Sequence, residues 1–389
     1  MLTNKNYEIA VCGGGFAGVS AALSASRLGK KVVLFEKEYM LGGLGTAGLI
    51  TIYLPICDGL GKQVSFGIAE ELLKLSIKYG YEDLYPDNWL DGVGTKTEKD
   101  KRYEVQYNPQ VCAILMEKLL IENGVDIMYG SYVIDAEVLN GKIDNLTVVN
   151  KSGQTKYYIK SVVDATGDCD VAKFSSAPTE EYEQKNVLAA WYYSIVDGKY
   201  DLHKRGLADL PKEELVGRPP VKHLVDKRFS GLDGEELSEM VTLSHNEIFN
   251  NFLNKRKSDK DFIVTMPTIP LVRMTRKIVG EYTLKYNEMH TYFEDSIGMV
   301  SNWKVRGPIY EVPFTTLYNG KVKNLICAGR CTSVDQRLWD VMRVIPCCVI
   351  TGQAAGTASA LTDDFSTLDI KKLQKVLVDN GVKLHEFDL

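Results

Sequence analysis

The chain has 389 residues, 45% of them hydrophobic and 25% charged, with a formal net charge of -5. These values suit a globular chain of one large or two ordinary domains, and they exclude an electrostatic case for nucleic acid or an anionic membrane. No segment approaches the roughly 20 apolar residues of a membrane helix.

The polar opening Met1-Leu-Thr-Asn-Lys-Asn-Tyr-Glu leads straight into a strand and does not read as a signal peptide, so a cytoplasmic location is expected. Glu8 to Cys12 is a short apolar strand. It is followed by Gly13 to Gly18 and by a small-residue helix to about Leu28, with Gly29 placed as its C-cap. Lys31 to Glu36 reads as a second buried strand, completing a βαβ start. A second glycine-rich stretch runs from Leu41 to Gly48, and apolar residues recur at helical spacing around 63–79. Tyr85 to Lys101 reads as an exposed loop. Asn108-Pro109 then starts a helix to about Asn123, with Asn as cap and Pro in the first turn. Between Val125 and Ile159 the pattern is of short strands, broken by turns at Asn140-Gly141 and Ser152-Gly153. Ser161 to Ala165 is another apolar strand. From about Ser175 to Trp303 glycine thins out and charge rises, and 187–196 is rich in strand formers. Strand Asn324 to Ala328 and a Gly/Ala-rich helix over 346–361 restore the first style.

The 8 cysteines are scattered and mostly sit in apolar runs. A disulfide framework is not expected in a chain of this length. With no Cys-x-x-Cys, neither a redox dithiol nor a metal site is expected.

Gly13-Gly14-Gly15-Phe16-Ala17-Gly18 is a G-x-G-x-x-G between a strand and a helix. The first glycine permits the tight turn, the second lets backbone approach a pyrophosphate, and the third lets helix and strand pack closely. A phosphate would sit on the free N–H groups of the helix N-terminus. Glu36 ends the second strand, where an acid accepts hydrogen bonds from a ribose diol. This motif alone suits FAD or NAD. Three further segments distinguish them: Gly42-Gly43-x-x-Thr46-x-Gly48, Asp164-Ala165-Thr166-Gly167-Asp168, and Asn324 to Arg330 with Arg343 to Gly356. The last suits a strand delivering Gly329-Arg330 to a cofactor, with the following helix aiming its positive end at a flavin pyrimidine. A core helix packed through small residues explains the same composition.

These segments, in this order, resemble the FAD-dependent oxidoreductase family of glutathione-reductase-type Rossmann flavoproteins. The resemblance covers about 5–175 and 305–362, with one middle match, Arg273-Met-Thr-Arg-Lys-Ile-Val-Gly280. It implies an α/β fold: a doubly wound Rossmann-like FAD/NAD(P)-binding domain from 1–175 and 305–389, with an inserted α+β substrate (cap) domain over 176–304. It also implies non-covalent FAD. Gly13, Gly15 and Gly18, with Phe16 and Ala17 between them, would hold the pyrophosphate. Glu36 and its neighbour Lys37 would meet the adenosine ribose, and Val133 the adenine edge. Gly43, Leu44 and Thr46 would lie beside pyrophosphate and flavin, and Ala165, Thr166 and Gly167 near the adenosine half. Gly329 and Arg330 would approach the ribityl and phosphates, and Arg343 and Val344 the flavin end. Beyond the stretch 41–48, where Gly43, Gly45 and Gly48 repeat the spacing without opening a second βαβ unit, no other GxGxxG exists, so no separate NADPH domain is expected. For covalent attachment, Cys57 is the one early thiol outside the first strand, and it reads as a free buried thiol rather than a flavin linkage.

The expected activity is hydride transfer between flavin N5 and a small organic substrate, with O2, a quinone or a carrier completing the cycle. Two alternatives stay open. FAD could serve a structural or RNA/cofactor-modifying role, or the chain could be an NAD dehydrogenase. Arg343 is the candidate catalytic residue, since a cation there would stabilise a reduced flavin or a substrate carboxylate. A salt bridge to Asp335 or Asp340 is the competing role. Arg273, Arg276 and Arg306 read as surface or interdomain charges, and the five histidines as surface residues. Trp191, Tyr192 and Tyr193 would line a cap wall or, as is usual for aromatic strand residues, the core.

Overall fold

The computed structural model describes residues 3–80, 104–206, 209, 214 and 222–389; the loop expected at Tyr85 to Lys101 lies outside them. The centre is a five-stranded parallel sheet in the order Leu325–Cys327, Ser161–Asp164, Ile9–Cys12, Val32–Phe35 and Asp126–Met128. The four strands other than Asp126–Met128 are buried at every position, as parallel strands covered on both faces must be. The expected strand boundaries hold to within a residue or two.

One face of this sheet is covered by two helices made of small residues, Phe16–Arg27 and Ile345–Leu361. Their closeness is set by missing side chains. A Cβ on Gly352 would stand 2.2 Å from the Ala17 carbonyl oxygen, and one on Gly356 2.1 Å from that of Ala21. The core helix suggested by the Gly/Ala composition is therefore real. No single helix among the described residues is long and apolar enough to cross a membrane.

A second sheet has the order Thr3–Asn6, Gly153–Tyr158, Lys142–Asn150, Tyr132–Leu139, antiparallel except for the outer parallel pair. Its hairpin turn puts Asn140 and Gly141 at φ 52° and 78°. Two positive φ values in succession are what the Asn-Gly pair predicts for a two-residue turn whose twist matches the strands. The helix Pro109–Glu122 begins as read: Asn108 accepts from the N–H groups of Gln110 and Val111.

Within 176–304 a separate layer is built by three antiparallel strands, Lys199–Arg205, Ala190–Val196 and Phe262–Thr265. The 22-residue helix Gly234–Lys255 packs on it through Ile248 and Phe252 against Ala190 and Tyr192. This layer is narrower than 176–304. Met274, Ile297 and Val300 join the same core as Val19 and Leu23, so the chain re-enters the first core before residue 304.

Candidate functional site

The carboxyl ends of the parallel strands open on one cleft enclosing about 1330 Å³ with its mouth, where open α/β sheets place their ligands. The strand ends are tied together by backbone bonds. The Gly13 N–H donates to Phe35 O at 2.8 Å, Ala165 N–H to Cys12 O at 2.9 Å, and Ala328 N–H to Asp164 O at 2.9 Å.

The three motif glycines of the first turn, Gly13, Gly15 and Gly18, do three different jobs. Gly13 has φ +101°, and a Cβ there would stand 2.4 Å from Ala165 O. A Cβ on Gly18 would meet Gly13 O at 1.8 Å. At Gly15 a Cβ would meet nothing within 4 Å, because this glycine faces the open cleft. The helix it starts has no side-chain cap and no acid in its first turn, and the same holds for Ile345–Leu361. Cleft-lining residues come from both starts, Gly15 to Ala17 and Arg343, Ile345 and Cys348. Two uncapped positive helix ends at one cleft suit a ligand that carries negative charge in more than one place.

Glu36 lines the cleft at the end of the second strand although it is only 5% exposed. Its oxygens accept the N–H groups of Gly14 at 2.6 Å and Glu38 at 2.8 Å. Burial pushes its pKa up, and those two backbone donors oppose the shift. The second glycine stretch crosses the first, with Gly42 N–H donating to Gly14 O at 2.8 Å.

On the far wall, Asp164 is buried and accepts from Thr166 and from the Ala172 N–H, which shapes the turn 164–168. Arg330 joins that turn to the middle segment. Its guanidinium lies 3.3 Å from Asp168 and donates to Val272 O at 2.5 Å and Arg273 O at 3.1 Å. Asp170, also in the cleft wall, is pushed up to about 7 by burial and by Asp168 and Asp164, against the pull of Arg276 and Lys37. At the other end Arg343 grips Asp340 Oδ1 through Nε at 2.8 Å and a terminal nitrogen at 2.7 Å, and Lys304 reaches the same carboxylate. Burial alone would raise Asp340, but Arg343 and Lys304 hold it at about 2. Burial and then Arg343 lower Arg273 to about 10.

Most residues singled out from the sequence line this one cleft: Gly13, Gly15, Phe16, Ala17, Glu36, Lys37, Gly43, Leu44, Val133, Ala165, Thr166, Gly167, Gly329, Arg330 and Arg343. Three expected there stand behind the wall. Gly18 is consumed by the contact with Gly13. Thr46 turns its hydroxyl to Leu41 O at 2.5 Å, and buried Val344 serves as N-cap. Arg343 pairs with Asp340 and also lines the cleft. Other expectations need correction. Arg276 is buried, within 4.0 Å of Asp170, because the strand Arg276–Ile278 runs inside the fold. His203 is buried between Ser194 and Lys255, and His385 against Glu311. Trp191, Tyr192 and Tyr193 take the second of their two expected places, the core. Cys57 is a buried thiol away from the cleft; the thiols that line the cleft are Cys12 and Cys348, the latter raised by burial to about 12.

The sequence reading missed Gly14, whose N–H engages Glu36, and the cleft residues Asp170, Cys348, Ile269, Pro270 and Val272. Asp170 was within reach of it, since Asp164, Asp168 and Asp170 form a carboxylate run on one turn. Nothing local marks Ile269 to Val272. Asp164, Cys169 and Cys327 bring one ligand atom each within 4.8 Å of one another, in the buried ground beneath the site.

The FAD dependent oxidoreductase family model matches residues 8–188 and 181–377. A thioredoxin reductase of Ureaplasma parvum serovar 3 is 30% identical over 81 residues, 21% of this chain and 26% of that protein. The match thus spans about a quarter of that curated relative's length. Among solved structures, a geranylgeranyl bacteriochlorophyll reductase-like protein of Thermoplasma acidophilum aligns over 98% of this chain and 85% of its own, at 15% identity and TM-score 0.44. The p-nitrophenol 4-monooxygenase of Pseudomonas putida DLL-E4 aligns over 97% and 85%, at 11% identity and TM-score 0.46. The THI4 protein of Thermovibrio ammonificans aligns over 43% and 61%, at 18% identity and TM-score 0.31.

Proposed function

The chain belongs to the FAD-dependent oxidoreductase family, and from that premise we propose that the cleft holds one FAD non-covalently and exchanges a hydride with a small organic substrate. The family match supports FAD over the nicotinamide alternative. The observation that carries the reading is the fit of the cleft to the cofactor. An open cradle at Gly15, two uncapped helix N-termini and the buried acid Glu36 converge in one space.

In this reading Gly13, Gly15, Phe16 and Ala17 hold the pyrophosphate through backbone N–H groups and helix dipole. Glu36 accepts the adenosine ribose hydroxyls, with Lys37 beside it, and Val133 offers backbone to the adenine edge. Gly43 and Leu44 flank the pyrophosphate, and Ala165, Thr166 and Gly167 leave room for the adenosine half. Gly329, Arg330 and Arg343 complete the flavin side. FAD supplies two-electron chemistry when bound; the protein supplies binding, orientation and charge. Arg343 keeps a positive charge at one end of the cleft, held in place by Asp340, which Lys304 holds in turn. The layer built by 190–205 and 234–265 is the substrate-side cap, since its helix and the segment after it supply Leu237, Ile269, Pro270 and Val272 to the cleft wall.

The test is the visible absorbance of the purified protein, repeated on the supernatant after acid precipitation. Flavin bands that move to the supernatant are expected. A colourless protein that also refuses added FAD overturns the reading, and colour left in the pellet overturns non-covalent binding.

A further inference from the structure

The helix Gly234–Lys255 borders two cavities in succession. It offers Leu237 to the large cleft and, one turn on, Met240, Val241, Ser244 and His245 to a second cavity of about 630 Å³ with its mouth. Those four positions share one face of a helix. Ile269 and Pro270 belong to both walls, so the two spaces adjoin across a single stretch of chain. That stretch is pinned in place, with Thr268 N–H donating to Ala47 O at 3.0 Å, just beyond the glycine loop that borders the cleft.

Among the described residues, the wall of the second cavity is mostly apolar and contains no lysine, arginine or carboxylate. Water in such a space finds few partners. Met240 and Met266 give it two flexible, polarisable surfaces that adapt to a ligand's shape. The Ser244 hydroxyl is already spent on Ala189 O at 3.0 Å. The His245 imidazole makes no hydrogen bond to another described residue, and it can accept from a hydroxyl or donate to a carbonyl. Charge lies elsewhere: Lys37, Arg330 and Arg343 line the other cavity.

We propose that this second cavity binds a neutral, largely apolar small molecule of about one ring, with a hydroxyl or carbonyl met by His245, and that this molecule is the body of the substrate. Its status as substrate rests on the cleft being the FAD site; the binding itself does not.

The test is isothermal titration of the flavin-loaded full chain with phenol, cyclohexanone and benzoate, alongside the Val241→Trp and His245→Phe variants. Bound flavin is measured on every sample. Phenol and cyclohexanone are expected to bind more tightly than benzoate. Val241→Trp should weaken both by at least tenfold by filling the space, and His245→Phe should weaken both several-fold, with flavin content unchanged. Tighter binding of benzoate, unchanged affinity in both variants, or no binding of either neutral probe overturns the proposal. If Val241→Trp does not fold, by thermal melt, His245→Phe alone decides. Protein that refuses added FAD yet still binds phenol at His245 removes the cofactor reading and leaves the cavity assignment standing.

Discussion

The Gly14 N–H points at Glu36 Oε2 from 2.6 Å, tying the first glycine turn to the end of the second strand. One carboxylate thus sets the turn geometry and faces the space where a ribose would lie. Glu36→Gln keeps the size but offers an amide NH2 where both oxygens now accept N–H groups. A hydrogen bond to a charged group contributes about 1.5–3 kcal/mol, so a loss of FAD affinity of about tenfold or more is expected. Fluorescence titration of the apoprotein with FAD measures it, and an unchanged dissociation constant removes Glu36 from the site.

Gly15 and Gly18 should separate binding from folding. Gly18→Ala drives a methyl group into backbone at Gly13 O, and overpacking of this kind costs about 1–3 kcal/mol or more. Gly15→Ala meets nothing within 4 Å, and its φ of -67° is open to any residue. We therefore expect a lower melting temperature for Gly18→Ala. Gly15→Ala should melt like the wild type without FAD yet bind FAD poorly. The reverse pattern would mean that the cleft is not the cofactor site.

Asp340 neutralises Arg343 and Lys304 at once. Asp340→Asn takes the counter-charge from Arg343 beside Arg273, while Lys304 keeps Glu214 at 3.4 Å, at a cost of about 3 kcal/mol. Arg343→Gln leaves Asp340 with Lys304 and should cost less. Denaturant melts of both variants rank them. The folded pKa of Asp340 is lowered to about 2, so its contribution is present above the ordinary carboxylate range near pH 4. It is lost as pH falls through 2.

Asp170 titrates the opposite way. Burial and two neighbouring carboxylates lift it to about 7, so the folded protein binds its proton more tightly than the unfolded chain does. Its contribution is complete below pH 4 and is lost as pH rises through 7. Because its side chain is 39% exposed at the cleft, solvent moderates the size of the effect. Asp170→Asn should flatten stability between about pH 4 and 7. In the wild type a carboxyl NMR titration should find a midpoint near 7 that falls in Asp168→Asn. A midpoint near 4 in both proteins would contradict this account.

Local chemistry made much of the molecule legible. All-apolar strands announced the buried parallel sheet, Asn108-Pro109 announced a helix start, and Asn140-Gly141 a tight turn, because each depends on residues adjacent in sequence. The glycine turn, Glu36 and the Gly329-Arg330 strand end could be assigned to one cleft because a βαβ unit leaves few ways to arrange strand ends. What tertiary structure decided is whatever depends on distant partners. It sent Thr46 and Val344 behind the wall and buried Arg276 next to Asp170. It divided Asp340 between Arg343 and Lys304, and brought Ile269 and Pro270 between two cavities. Arg276 and Lys304 carry no motif of their own; their roles come from Asp170, more than a hundred residues away, and Asp340, more than thirty away, which no local pattern encodes.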